Sequence, residues 1–147
     1  MNRFTQEQEV LSEHLDDLKH VNNIQYLNWI QEISKKHWNK LITRKNFEFQ
    51  IWIVRSHNIV YKKQAKLGDE LLLETYVKEC KNYTSERVVN ILLKKNKEVI
   101  TRCNTIWCYV NKTSFNLERI PWHDALPGLP SHVSSASIEF GHLATRY

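Results

Sequence analysis

The sequence is poor in the residue types that mark fibrous, cross-linked or membrane-spanning chains. Its 147 residues include only three glycines and three prolines, which excludes a collagen-like or low-complexity protein. No apolar run approaches the roughly 18 residues of a membrane span, and residues 1–6 contain no apolar stretch typical of a signal peptide. We therefore expect a soluble, cytoplasmic protein without a membrane partner.

Cysteine is also scarce. The three residues Cys80, Cys103 and Cys108 are odd in number and show no CxxC spacing, which argues against a disulfide framework or a thiolate zinc site. All three lie in apolar, strand-like stretches, so we interpret each as a small buried hydrophobe. His132 and His142 have no metal-ligand spacing either, and no metal site is predicted.

What the chain does contain is enough apolar material for one folded domain. Hydrophobic residues make up 41% and charged residues 25%, and the length fits a single domain. The net charge of +5 favours anionic partners, but the lysines are scattered and do not alternate with stacking aromatic residues. We expect no nucleic-acid partner, whereas some lysines could attract the phosphates of a nucleotide-bearing substrate.

The spacing of apolar residues predicts one helix followed by a series of strands. From Ile24 through Leu27 and Ile30 to Ile33, apolar residues recur at helical spacing. Alternation with period two then predicts strands over residues 49–61, 70–77, 83–93 and 99–110, and a strand-like start covers residues 4–11. These elements predict an α+β fold, in which an antiparallel meander carries the helix on one face.

The C-terminal segment differs from the rest in composition. We assign residues 1–122 to a single domain and residues 123–147 to an extended tail. Pro121, Pro127, Pro130 and the serine-rich stretch 131–137 predict extended or poorly ordered chain there. The tail could alternatively dock on a partner subunit.

The turn before the predicted helix concentrates groups that suit acyl transfer. Asp16 offers a carboxylate that could act as base or nucleophile, and His20 could polarise a carbonyl or move a proton. Asn22 or Asn23 suits the helix N-cap, and a backbone N–H at that end could hold a carbonyl oxygen as negative charge develops on it. On spacing alone, an ordinary capped turn with a structural histidine is the commoner interpretation.

Residues 15–29 resemble the motif of the hotdog-fold thioesterases, which include 4-hydroxybenzoyl-CoA thioesterase-like enzymes and acyl-ACP thioesterases. The pattern is an Asp, three residues, His-Val-Asn-Asn, two residues and a Tyr, and here it runs from Asp16 to Tyr26. Residues 61–71, with Gly68-Asp69 in the turn, are similar to the family's strand-turn-strand segment. Residues 103–111 resemble its last long strand, so the resemblance covers roughly residues 4–121.

The resemblance implies a hotdog fold, in which an antiparallel sheet wraps around one long central helix. It also implies hydrolysis of the thioester of a fatty or aromatic acyl-CoA, with no metal or cofactor, in active sites that lie between the subunits of a homodimer or homotetramer. Asp16 matches the catalytic carboxylate, His20 the motif histidine and Asn23 the position whose backbone N–H polarises the carbonyl. The substrate-binding candidates are Asn22, Tyr26 and Tyr61, although Tyr61 could instead pack in the core.

Three positions depart from the family pattern. Lys19 stands where glycine is frequent, and His14 stands where a second acid often lies. Leu18 replaces an Asn of the plant acyl-ACP thioesterases, which also contain two hotdog units where this chain has room for one. We therefore expect acyl-CoA as substrate. The alternatives are an acyl-ACP thioesterase and a non-catalytic acyl-CoA-binding hotdog protein, the latter disfavoured because both Asp16 and His20 are present.

Overall fold

A computed structural model describes residues 3–42, 48–121 and 145–146. A short 3-10 helix and one long α-helix follow the first strand, and the remaining described strands come after them along the chain. The elements are β1 (Phe4–Glu9), the 3-10 helix (Ser12–His14), α1 (Asn23–Ile42), β2 (Ile51–Tyr61), β3 (Glu70–Lys81), β4 (Thr84–Leu93), β5 (Val99–Val110) and β6 (Thr145–Arg146).

The strands form one antiparallel sheet in the order β1-β3-β4-β5-β2-β6. The predicted meander is confirmed for β3, β4 and β5, which pair in sequence order. The strand β2 departs from it, because it lies beyond β5 instead of beside β3. The helix accounts for this crossing, since the chain leaves β1 at one side of the sheet and returns as β2 at the other.

The helix buries one face against the sheet. Tyr26, Trp29, Ile30, Ile33 and His37 are all buried at spacings of three and four residues, as an amphipathic helix requires. The first four of them join residues of β3, β4 and β5 in the main hydrophobic core. One expectation was wrong: Ile24 is 64% exposed. At roughly 100° per residue, its side chain points about 180° away from that of Ile33.

The strands follow the predicted periodicity, and several of their ends differ: β2 begins two residues later than predicted, at Ile51, and β4 one residue later, at Thr84. The strand β1 ends at Glu9, two residues early; the Val10 N–H still donates to the carbonyl of Asp69 at 2.9 Å, and a short 3-10 helix begins at Ser12. The strand β3 continues four residues further than predicted, to Lys81, past a bulge between Val77 and Glu79. The three cysteines are buried, as their apolar surroundings predicted.

Most of the predicted tail, residues 123–147, lies outside the described residues. Within it, Thr145 and Arg146 pair with Val54 and Ile53 of β2 and so add a short strand to that edge of the sheet. In the parts of the chain that the structure covers, no helix combines the length and the apolar character needed to cross a membrane.

Candidate active site

The segment before the helix forms a small closed turn. The Asp16 N–H donates to the carbonyl of His20 at 2.7 Å, and the Lys19 N–H donates to the carbonyl of Asp16 at 3.1 Å. On either side, Leu15 and Val21 form an antiparallel bridge, and Val21 is buried in the core. The bridge anchors the turn, so that residues 16–20 are held at the surface just before the helix begins.

The Asp16 carboxylate has one fixed oxygen and one open oxygen. Its Oδ1 accepts the backbone N–H groups of Leu18 at 2.9 Å and His20 at 3.1 Å. Its Oδ2 accepts no hydrogen bond from any described residue, and the side chain is exposed. The first oxygen therefore orients the carboxylate, while the second remains available to a water molecule or a substrate.

Lys19 adopts a backbone conformation that favours glycine. Its φ is +65°, in the left-handed region that β-carbon sterics disfavour. This explains why the family pattern frequently has glycine at the position that Lys19 occupies. The turn keeps its shape here with a lysine, whose exposed side chain adds a positive charge beside the site.

The start of the helix leaves one backbone donor open. The Asn22 side chain caps the helix, because its Oδ1 accepts the Ile24 N–H at 3.0 Å. The backbone carbonyl of Asn22 accepts the Gln25 N–H at 2.8 Å. The Asn22 N–H donates to the carbonyl of His14 at 3.0 Å. The Asn23 N–H has no acceptor among the described residues, and it lies at the positive end of the helix dipole.

The two histidines near the turn have different surroundings. His14 is tied down, because its Nδ1 accepts the Leu11 N–H at 2.9 Å and its ring packs edge-on against Trp29. His20 is exposed, and its imidazole forms no hydrogen bond with a described residue. His14 thus has a structural role in place of the family's second acid, and the His20 ring is free to meet a ligand.

Tyr26 and Tyr61 lie in contact on the core side of the turn. Tyr26 is buried, its hydroxyl accepts the Ala65 N–H at 3.0 Å, and burial raises its pKa. The Tyr61 ring lies 5.6 Å from that of Tyr26, centroid to centroid, and is 46% exposed. Tyr26 therefore links the helix to the segment after β2, whereas Tyr61 presents an aromatic surface to solvent.

The buried charge of Arg87 was not predicted from the sequence. Arg87 on β4 is only 5% exposed, and its Nη1 lies 2.8 Å from Nδ1 of His37. On β5, the Cys103 thiol lies 3.4 Å from the Thr105 hydroxyl, and burial raises the pKa of that thiol, which keeps it protonated and a poor nucleophile. The sequence did hold an indication of this position. Arg87 is two and four residues from the buried Val89 and Ile91, so by the period of two it lies on the same, inward face of β4.

Comparison with known proteins identifies the family. Residues 1–123 match the model of the acyl-ACP thioesterase N-terminal domain. No curated protein matches the chain.

Solved structures share the fold at low identity. A 1,4-dihydroxy-2-naphthoyl-CoA thioesterase from Synechocystis is 17% identical, with a TM-score of 0.69, 82% of this chain and 90% of that chain covered. A 12:0-ACP thioesterase from Umbellularia californica is 20% identical, with a TM-score of 0.71, and 81% of this chain matches 46% of that longer one. The Staphylococcus aureus protein SAV2348, solved in complex with CoA, is 14% identical with a TM-score of 0.72, covering 82% and 77%.

These similarities confirm the predicted hotdog architecture, with one long helix packed against an antiparallel sheet. The family match covers the motif turn, the helix and strands β1 to β5. The chain therefore belongs to the acyl-ACP thioesterase N-terminal domain family of hotdog-fold thioesterases and is a thioester hydrolase.

Proposed function

We propose that the protein is a cytoplasmic acyl-CoA thioesterase that releases a fatty or aromatic acid and CoA. The observation that carries this proposal is the pairing, at one end of the molecule, of an exposed carboxylate with an open helix N-terminus. Asp16 has an oxygen without a partner among the described residues, and so has the Asn23 N–H. The Leu15–Val21 bridge and the Asn22–His14 hydrogen bond hold these two groups on the same rigid turn.

The mechanism assigns one step to each group. The Asn23 N–H donates to the thioester carbonyl oxygen, and it stabilises the negative charge that develops there. Asp16 acts as the general base for a water molecule, or as a nucleophile through a mixed anhydride that water then hydrolyses. His20 orients the thioester. CoA leaves as the thiolate, which takes the proton that Asp16 removed from water in the general-base route, or a proton from bulk water in the nucleophile route. The net charge of +5 favours an encounter with the phosphates of CoA.

We propose further that a second copy of the chain completes the site. Large apolar side chains remain exposed in the turn, at the start of the helix and in residues 60–67: Leu18, Ile24, Val60, Tyr61 and Leu67. The short strand β6 pairs with the outer edge of β2 at Ile53 and Val54, and no described strand pairs with that edge at residues 58–61, where another strand could add. A partner subunit that covers this surface would exclude water from Asp16, which strengthens the electrostatic interactions of the site.

The oligomeric state can be measured directly. Sedimentation or light scattering at the concentration used for assays should give a dimer or a dimer of dimers. Leu18→Glu, which places a charge in the proposed contact, should shift the protein toward monomer and lower its activity together. A wild-type protein that is active as a monomer would contradict this part of the proposal.

A second candidate function is hydrolysis of acyl-ACP, which the family match favours. Hydrolysis assays distinguish the two candidate functions when the same acyl groups, from eight to sixteen carbons long, are supplied as CoA thioesters and as ACP thioesters. We expect a kcat/KM at least tenfold higher for the CoA thioester. A tenfold preference for ACP would establish the second candidate, and tight acyl-CoA binding without turnover would indicate a non-catalytic binding protein.

A further inference from the structure

A cavity lies away from the catalytic turn. It has a volume of about 220 Å³ and lies between the second half of α1 and the inner face of the sheet. Ser34 and Trp38 line it from the helix, and Trp52, Val77, Arg87 and Trp107 line it from the strands. Ser34 follows Asn23 by 11 residues, a distance of roughly 16 Å at 1.5 Å per residue. The cavity is therefore separate from the helix N-terminus in the same subunit.

Arg87 brings a buried charge to this cavity without a counterion among the described residues. Its Nη1 donates to the Thr75 hydroxyl at 3.0 Å and to Nδ1 of His37 at 2.8 Å. Both acceptors are neutral, because burial lowers the pKa of His37 to about 4. Burial also lowers the pKa of Arg87, to about 10, so the guanidinium remains charged at neutral pH. A buried charge without a partner is destabilising, and a bound anion would relieve that.

The remaining wall of the cavity is suited to an apolar body. Three of the described lining residues are tryptophans, and none of the described lining residues carries a carboxylate. The second cation at the cavity is Lys35, which is exposed at its rim. A comparable apolar cavity of about 150 Å³ holds benzene, so the larger space here suits an acid of about ten carbon atoms.

We propose that this cavity binds a small organic carboxylate, whose apolar body packs on the tryptophans and whose carboxylate pairs with Arg87. A guanidinium binds a carboxylate through two parallel hydrogen bonds. Among the described residues, Nε and Nη2 of Arg87 have no acceptor, so two donors remain for the ligand. Binding can be measured without turnover, so the proposal stands or fails independently of the thioesterase reaction.

The test compares each acid with its uncharged amide by isothermal titration calorimetry. The probes are 2-naphthoate with 2-naphthamide, and octanoate with octanamide. We expect the wild-type protein to bind at least one carboxylate with a Kd below 1 mM, and its amide at least tenfold more weakly. Equal binding of acid and amide, or no binding of either acid, would overturn the proposal.

Variants assign the site. In Arg87→Met, the affinity for the acid should exceed that for its amide by less than about threefold. Arg102→Met is the control, because it removes a guanidinium of β5 that does not line the cavity, and it should keep the wild-type preference for the acid. A tenfold preference that persists in Arg87→Met overturns the assignment.

Ser34→Leu fills the cavity from the helix and should weaken the binding of every probe. Among the described residues, the Ser34 hydroxyl donates only to the Ile30 carbonyl of its own helix, at 2.7 Å, so this variant should fold. If Arg87→Met does not fold, unchanged binding by Ser34→Leu rejects the proposal.

A free acid and an acyl group with a second, distal carboxylate share this chemistry. The possibility that the ligand is the acyl group of a substrate rests on the proposed thioesterase function. Steady-state kinetics distinguish this ligand from a free acid. A higher kcat/KM for hexadecanedioyl-CoA, whose chain is long enough to reach from the Asn23 N–H to the cavity, than for hexadecanoyl-CoA, lost in Arg87→Met, assigns the cavity to the acyl group. Octanoate binding with equal kcat/KM for the two thioesters assigns it to the free acid.

Discussion

Nη1 of Arg87 lies 2.8 Å from Nδ1 of His37, and this contact joins strand β4 to helix α1 inside the core. A guanidinium can only donate, so Nδ1 of His37 accepts and the proton of the neutral ring resides on Nε2. Nε2 has no partner within the described part of the chain. Burial first, and then the positive charges of Arg87 and Lys40, lower the pKa of His37 to about 4. The contact thus requires a neutral histidine.

The depressed pKa of His37 predicts acid-sensitive stability. In the unfolded chain the ring titrates near pH 6.5, whereas in the folded chain it titrates near pH 4. Below pH 6.5 the unfolded state therefore binds more protons, and the free energy of unfolding falls as the pH drops toward 4. At about 1.4 kcal/mol per pKa unit, the loss is at most about 3 kcal/mol.

Urea unfolding at pH 7, 6, 5 and 4 measures this loss. His37→Gln keeps an acceptor for Arg87 and removes the titration, so its stability should decline less over the same range. Carboxylates contribute equally to both proteins, and the difference between them isolates His37. Parallel pH profiles for the wild type and the variant would show that His37 does not cause the loss.

Two residues with positive φ predict opposite effects of substitution. Lys19 has φ +65°, so Lys19→Gly should relieve backbone strain and raise the free energy of unfolding by up to about 1 kcal/mol. Gly68 has φ +84° with open space around its Cα, so Gly68→Ala should lower it by about 1 kcal/mol through the backbone alone. Thermal unfolding of both variants tests the pair, and a lower Tm for Lys19→Gly would contradict the strain argument.

The hydroxyl of Tyr26 predicts a stability contribution that Tyr61 lacks. Tyr26→Phe leaves the buried Ala65 N–H without its acceptor and should lower the free energy of unfolding by about 1–3 kcal/mol. Tyr61→Phe is the matched control, because that ring is half-exposed and should change stability by less than about 0.5 kcal/mol. Equal effects of the two substitutions in denaturant unfolding would show that the Ala65 contact is not what stabilises the helix.

Local patterns in the sequence predicted what depends on local chemistry. The helix at Asn23, its cap at Asn22 and the strand ending at Val110 follow from residue spacing and side-chain type. The motif turn was found through its resemblance to the family, because spacing alone favoured an ordinary capped turn. The left-handed backbone of Lys19 is a product of the closed turn, which only the family's frequent glycine hinted at.

Long-range relationships could not be predicted in this way. The position of β2 beyond β5 depends on where the helix crosses the sheet, and the bulge between Val77 and Glu79 depends on pairing with β4. The Arg87–His37 contact joins residues 50 positions apart. Helical spacing also included Ile24 in the buried stripe, since a short apolar run does not show on which side the sheet lies.

The central claim is that Asp16 is the catalytic carboxylate, and Asp16→Asn tests it most directly. Asparagine keeps an oxygen that can accept the Leu18 and His20 N–H groups, so the turn should retain its shape. The matched control is Asp17→Asn, which alters the neighbouring exposed carboxylate. We predict that kcat/KM for acyl-CoA hydrolysis falls about 10²–10⁴-fold in Asp16→Asn and changes less than about threefold in Asp17→Asn. Full activity in a correctly folded Asp16→Asn, or an equal loss in both variants, would contradict the account.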